Sequence, residues 1–290
     1  MSELSCKYVS SHGILKSCSL AIRNFKEPNV IFNISHLKKG NSLYLDSTLI
    51  KIFYKSYWQY VKEPIVLVSG NQDINFTDIN EFKELLEEEK LIKWYSQNMC
   101  LDHEKCIRIP IGLDYHTLYS HLGMNHPWSI GMLPSIQEAI IDDIRTRGRP
   151  ISERRAAAFC NWQFFLDRGD RREVLQKVDM NALYMVPNYQ GRNESWMNQM
   201  EFAFVCSPSG GGLDCHRTWE ALILGCVPIV KSSGMDSLFD GLPVWIVKDW
   251  SEVTLENCVK KKEEYSGAYS LEKLDLSYWV SLIRAGQVPV

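Results

Sequence analysis

Short apolar runs separated by amphipathic stretches recur along almost the whole of this 290-residue chain, and that alternation constrains the fold more than any other feature. A strand in a parallel sheet is covered on both faces and reads as a nearly continuous apolar run. The crossover helix beside it carries apolar residues three and four apart. Repetition of the two predicts an α/β protein built on parallel sheets. In the first half, Val30–Ile34, Ile65–Val68, Leu91–Tyr95 and Cys106–Ile109 predict strands, while Asp46–Tyr60 and Phe82–Glu89 predict helices. Between His121 and Pro150 the chain is richer in Gly, Pro and His, with one predicted helix over Ser135–Thr146, and a domain boundary is expected near residue 150. In the second half, Ala156–Phe159, Ala182–Met185, Phe202–Val205, Val227–Val230 and Val244–Val247 predict strands. Arg171–Val178, Glu194–Met200 and Asp214–Leu224 predict the helices among them, and a last helix is expected over Leu271–Ala285. The expected organisation is a Rossmann-like lobe over residues 1–150, a second over 151–268 with a cleft between them, and a closing helix over 269–290 that returns to the first lobe.

Composition narrows the function. Apolar residues make up 45% and charged residues 23%, which excludes a disordered chain. With 32 Lys and Arg against 35 Asp and Glu, the net charge of -3 gives no whole-surface attraction to nucleic acid or to an anionic membrane, so any anion site must be a local cluster. No apolar run reaches the roughly 18–20 residues that span a bilayer, and Met1–Asn24 holds no apolar segment after a basic one, so neither an anchor nor a leader is expected. The nine cysteines have spacings that suit neither a zinc site nor a disulfide framework. They are expected to be reduced, in a cytoplasmic protein, with the sequons at Asn33, Asn75 and Asn193 unused.

The most informative segment runs from Phe204 to Val230 and reads as strand, glycine-rich loop, helix, tight turn and strand. Gly210, Gly211 and Gly212, after Ser209, lack a Cβ and allow close approach of a ligand to the backbone. Asp214 is expected to cap the helix that follows. The free N–H groups at a helix start favour an anion, and Arg217 in the first turn can pair with a phosphate through both arms of its guanidinium. Glu220, one turn below Arg217 and His216, can accept both hydroxyls of a ribose. Together these parts predict a pocket for a nucleoside diphosphate. The loop is neither a Walker loop, since no Gly-Lys-Ser/Thr follows, nor a Gly-x-Gly-x-x-Gly fingerprint.

Phe204, Pro208, Gly210, Asp214, Arg217, Glu220, Gly225 and Pro228 together resemble the donor site of exostosin-type glycosyltransferases. Upstream, Phe159-Cys160-Asn161-Trp162 and the pair Arg171-Arg172 resemble that family's first donor-domain strand and its arginine-bearing helix. Downstream, Leu242–Trp250 is similar to the strand and loop before the closing helices. The resemblance covers about Ala156 to Thr254 and is weaker in the first half. It implies a GT-B fold, a nucleotide-sugar donor such as a UDP-sugar held mainly by the second lobe, a glycan acceptor on the first, and transfer without a bound metal or other cofactor. The chain is expected to lack the membrane anchor and second catalytic domain of animal members. It is more similar to the short exostosin-like proteins of large algal viruses and protists, among which β-xylosyl transfer is one activity, so UDP-xylose is a leading donor.

A metal-free transfer needs protein cations against the departing diphosphate. Arg171, Arg172 and Arg217 are the candidates, with Asn161, Ser209 and His216 as further donor contacts; fold analogy sets Val186 and Pro187 near the nucleotide base. An inverting transfer needs a base from the opposite lobe, just past a strand's carboxyl end. Asp73 is the first candidate, followed by Asp114 and His116. Two other readings fit the same residues: a catalytically silent nucleotide- or glycan-binding module, and a different α/β enzyme acting on sugar phosphates. Neither oligomeric state nor the identity of sugar and acceptor is written in the sequence.

Overall fold

In a computed structural model, which describes residues 2–162 and 166–286, the chain forms two five-stranded sheets, each parallel throughout. The first contains β1 (Leu20–Ile22), β2 (Ser42–Asp46), β3 (Ile65–Gly70), β4 (Leu91–Ser96) and β5 (Cys106–Arg108), side by side in chain order. A two-stranded hairpin of β6 (Asn125–His126) and β7 (Ser129–Ile130) precedes the second sheet. That sheet contains β8 (Arg155–Cys160), β9 (Leu183–Met185), β10 (Phe202–Cys206), β11 (Val227–Lys231) and β12 (Trp245–Val247), in the order β12-β11-β10-β8-β9. The architecture is α/β with two Rossmann-like lobes.

Side-chain alternation sorts each sheet into two faces. Leu43, Leu45, Ile65 and Leu67 face an outer core covered by α2 (Val30–Ser35), α3 (Ile50–Ile52), the π and 3-10 turns that continue α3 to Tyr60, and α4 (Lys83–Glu87). Because the order β1 to β5 never reverses, these crossovers all lie on that face. The other face, with Tyr44, Val66 and Val68, is left for the chain ends and the second lobe.

The chain ends take that place. Ser10 caps α1 (Ser11–Ser17) through Gly13 N–H. Residues before α1 run between α6 (Pro134–Thr146) and α11 (Leu276–Ala285), where Tyr8 bridges to Asp275 and Ser10 to Gly112. The Tyr95 hydroxyl donates to Leu282 O at 3.0 Å, fixing α11 against the first sheet. In the second lobe, α7 (Arg171–Lys177) and α10 (Leu255–Glu264) cover the outer face. The inner face carries α8 (Arg192–Gln199) and α9 (His216–Ile223). Val66, Val68 and Tyr95 of the first lobe share one core with Phe159, Val205 and Trp219 of the second, so the lobes meet over packed side chains. A short helix, α5 (His116–Ser120), closes the first lobe on the side that faces α9.

Two readings are corrected. Val30–Ile34, expected as a strand, is helix: Val30 and Ile34, four apart, are buried, while Ile31 and Phe32 face solvent. The strand lies instead at Ser42–Asp46, a run short enough, with Ser and Asp at its ends, to carry a weak apolar signal although every residue is buried. Asp214 does not cap α9. The capping position is Cys215, and the Asp214 carboxylate turns away into the protein. All nine cysteines are free, six of them buried. Among the described residues no helix is long and apolar enough to cross a membrane, and no group of three or more His, Cys, Asp or Glu is arranged to hold a metal ion.

Candidate functional site

Ligands of open parallel sheets bind past the carboxyl ends of the strands, where the strand order reverses. In the second sheet the chain moves from β8 outward to β9 and then returns to lay β10 on the other side of β8, so the reversal falls between β8 and β10. Asn161 follows β8 and Ser207–Gly212 follows β10, so the glycine triplet stands at this crevice.

The turn is held from its own lobe by Asp170. One carboxylate oxygen of Asp170 accepts from Ser209 N at 2.7 Å and Ser209 Oγ at 2.8 Å, and the other accepts from Trp250 Nε1 at 2.6 Å. Two guanidinium groups bracket the Gly210 end. Arg171 is buried, and its Nη2 lies 3.2 Å from where a Gly210 Cβ would stand; Arg217 Nη1 reaches Pro208 O at 3.4 Å. Burial first, then the charges of Arg217 and Arg168, weaken Arg171's hold on its proton relative to an ordinary arginine. Arg172 turns outward to Asp167 on the surface. Asn161 Nδ2 donates to Ser195 Oγ at 2.9 Å. Val186, expected near a nucleotide base, is packed in the central core; Pro187 beside it is exposed.

The other end of the turn meets the first lobe. A Cβ on Gly211 would overlap the Asp73 carboxylate, and one on Gly212 would stand 2.6 Å from Asn98 Nδ2. Asn98 adopts a left-handed conformation and its Oδ1 accepts Asp214 N–H at 2.9 Å. Asp214 in turn accepts Ile111 N–H at 2.7 Å and Trp219 Nε1–H at 2.9 Å. Burial raises its carboxyl to about 6, against the pull of those N–H groups. The glycines therefore serve the join between lobes as well as any ligand, and Asp214 is a tie between them.

Past β5, Asp114 is buried. Its carboxylate accepts Thr117 N at 2.9 Å and Thr117 Oγ1 at 2.8 Å, and it pairs with His116 Nδ1 at 3.1 Å. Burial pushes this carboxyl up, but His216, His116 and Arg192 together outweigh it and hold it at about 2. Burial, followed by neighbouring imidazoles, takes His116 below the usual histidine value despite Asp114. His216 Nδ1 donates to Gly112 O at 2.6 Å, so its ring also spans the seam. Glu220 accepts from Arg192 Nη2 at 2.9 Å and Nε at 3.2 Å. Arg192 also donates to Asp114 O at 2.6 Å and lies against the Trp196 ring.

Thus Asp73, Asp114, His116, Gly210, Gly211, Gly212, Asp214, His216, Arg217, Glu220 and Arg171 converge on one seam, while Arg172 and Val186 do not. His12, Asn71, Asn98 and Arg192 belong to the same seam and were not anticipated. Asn71 follows β3 directly and Asn98 follows β4 after Gln97, so the rule of strand carboxyl ends could have found them. His12 carries no such signal, since its partner Asn71 is 59 positions away.

No protein-family model and no curated protein matches the chain. Among solved structures, it is similar to an α,α-trehalose 6-phosphate synthase from Burkholderia multivorans, at 13% identity and a TM-score of 0.41 over 87% of this chain and 72% of that one. A UDP-forming α,α-trehalose-phosphate synthase from Burkholderia vietnamiensis matches at 12% identity and a TM-score of 0.42, over 84% and 72%. A structure from E. coli, described as trehalose-6-phosphate bound with UDP-2-fluoro glucose, matches at 11% identity and a TM-score of 0.42, over 88% and 74%. Likeness this distant carries no argument about the site.

Proposed function

We propose that the chain is a glycosyltransferase that moves a sugar from a nucleotide donor to a hydroxyl of a glycan acceptor. One observation carries the reading: a glycine turn at the strand-order reversal has two arginines at one end and, at the other, the Asp73 carboxylate of the opposite lobe. An anion fits the Gly210 end, between Arg171 and Arg217, and is repelled from the Gly211 end by Asp73. A donor lying along the turn therefore keeps its diphosphate at the arginines and its sugar toward the first lobe. In that pose Glu220, oriented by Arg192, is the ribose ligand. The fully extended assignment, a UDP-sugar and UDP-xylose in particular, inverted without metal, rests on the resemblance to exostosin-type enzymes.

Of the three candidate bases, Asp114 is the poorest, because it ionises near 2 and its oxygens are engaged by Thr117 and His116. His116 turns Nδ1 to that carboxylate, which orients the ring and leaves Nε2 for an acceptor proton. Asp73, exposed at the turn, then lines the sugar end.

Binding of UDP should raise the melting temperature by mass action, and replacing Arg171 and Arg217 by alanine should abolish the rise. Release of UDP from UDP-sugars, lost in His116→Ala while the thermal shift persists, would identify a transferase. Binding without turnover in the unaltered protein would identify a silent module, and no shift with any nucleotide at millimolar concentration would overturn the donor site itself.

A further inference from the structure

Two carboxylate–imidazole pairs stand side by side past the first sheet. One is Asp114 with His116; the other is Glu3 with His12, whose Nδ1 lies 3.5 Å from Glu3 Oε1. The His12 and His116 ring centroids are 4.4 Å apart. Glu3 is wholly buried. Its Oε2 accepts from Ser10 Oγ at 2.7 Å, whereas Oε1 makes no hydrogen bond and has His12 as its ion-pair partner. Burying a carboxylate oxygen in that state costs free energy unless a cation stands against it.

The other nitrogen of His12, Nε2, lies 3.2 Å from Asn71 Oδ1. The amide orientation of Asn71 is set by Asp46, whose Oδ1 takes the Asn71 Nδ2 proton at 3.4 Å, so Oδ1 is the atom turned to His12. With Glu3 ionised, both ring nitrogens of His12 face acceptors, and a ring that carries both protons satisfies them. His116 is faced by His12 from α1, by His216 from α9 at a ring distance of 6.3 Å, by Asp114 from its own loop, and by Glu3 behind His12. Two adjacent imidazolium rings repel, so a proton fixed on His12 disfavours a second one on His116.

We propose that Glu3 is a positioning residue for the transfer: by keeping both protons on His12 beside His116, it keeps His116 Nε2 free to accept the proton of the attacking hydroxyl. This rests on the reading of the chain as a glycosyltransferase with His116 as base. In the step itself, the acceptor oxygen bonds to the anomeric carbon as its proton passes to His116 Nε2. The bond from that carbon to the diphosphate oxygen breaks, and its electron pair leaves on the diphosphate beside Arg171 and Arg217. Glu3 and His12 touch none of the reacting atoms.

The test joins two measurements on the full chain. Nitrogen-15 NMR of labelled histidine reports which ring nitrogens carry protons, and the pH profile of kcat/KM for UDP release reports the base. In the unaltered protein His12 should carry both protons at pH 7 while His116 carries one. Glu3→Gln, which keeps the Ser10 contact and removes the charge, should turn His12 neutral. The His116 midpoint and the acid limb of the profile should then rise together by up to about one pH unit, the lost charge of His12 outweighing that of Glu3 behind it. His12→Gln should move the same two readouts in the same direction, and it serves if Glu3→Gln does not fold. A His12 ring with one proton at pH 7 in the unaltered protein, or an unmoved His116 midpoint in both variants, would overturn the proposal. If the histidines couple as stated but UDP is never released, the coupling stands and the transferase reading fails.

Discussion

Asp73 of the first lobe and Gly211 of the second fit together only because Gly211 has no side chain: a Cβ there would overlap the carboxylate. The neighbouring Gly212 is fitted in the same way to Asn98, but the two first-lobe residues differ in freedom. Asp73 is exposed, so its carboxylate can rotate away and its loop can yield the little that its Cβ then needs, whereas Asn98 is buried, left-handed and bonded to Asp214 N–H. Gly211→Ala should therefore change stability by less than about 1 kcal/mol, yet lower turnover by displacing Asp73. Gly212→Ala should destabilise by about 1–3 kcal/mol, the usual range for overpacking. Chemical denaturation of both variants checks the contrast, and equal losses would contradict it.

Gly112 joins the N-terminal segment to the end of the first sheet. Its φ of 65° lies in the left-handed region, and a Cβ would overlap Val9 O, the acceptor of Leu113 N–H at 2.8 Å. Gly112 also presents the carbonyl that receives His216 Nδ1–H. Gly112→Ala should cost at least about 2 kcal/mol, from the left-handed backbone together with the overlap. It should also alter the His216 ring environment in NMR spectra, because the same peptide carries that bond. A variant as stable as the parent would show that the segment packs elsewhere.

Asp114 makes stability depend on pH in the acid range. Its carboxyl titrates near 2 in the folded chain against an ordinary 3.8, a difference worth about 2 kcal/mol. Because the folded value is the lower one, this contribution is fully present above about pH 4 and is lost as the pH falls through about 2. Asp114→Asn removes it. The variant should be less stable than the parent at pH 7, and the gap should narrow steadily below pH 4, as denaturation at a series of pH values would reveal. A gap independent of pH would mean that the carboxylate is not ionised where the fold uses it.

The second lobe was more legible than the first because its strands are bounded by strong punctuation. Gly225 with Pro228, and the glycine triplet after Phe204–Cys206, mark where β10 ends and β11 begins. In the first lobe, β1 has three residues and β2 begins and ends on polar ones, so neither produced a run that stood out. The apolar cluster Val30–Ile34 stood out instead, although tertiary packing needs only two of its residues on one side. For the site, local pattern pointed to the turn and Arg217, because a loop and the helix it feeds are neighbours in sequence, whereas Arg171, on α7, came from the family resemblance. It could not find Glu3 and His12, whose meaning depends on His116 more than a hundred positions on. Nor could it foresee that Asp214, which has the residue type and position of a helix cap, is pulled across the seam by Ile111 N–H and held inward by Trp219 Nε1–H of its own lobe.

Arg192 and Glu220 form a largely buried ion pair within the second lobe, and through it Arg192 is aimed at the first. The guanidinium makes two bonds to Glu220 Oε1 and one each to Asp114 O and Gln137 Oε1, with Trp196 against its face. Taking either charge out of water costs several kcal/mol, so the pair adds little net stability, but losing one partner strands the other. Arg192→Ala should then cost about 3–5 kcal/mol. Arg192→Lys should recover only part of this, since one ammonium cannot reproduce a planar fork aimed at three acceptors. Glu220→Ala alone leaves the cation with its Asp114 and Gln137 carbonyl oxygens and should cost less than Arg192→Ala. The double variant should be less damaged than the sum of the single ones, because it leaves no charge unpaired. Additive losses in that cycle would show that Arg192 acts through Asp114 and Gln137 rather than through Glu220, and Glu220 would then be held at the seam by something other than its ion pair.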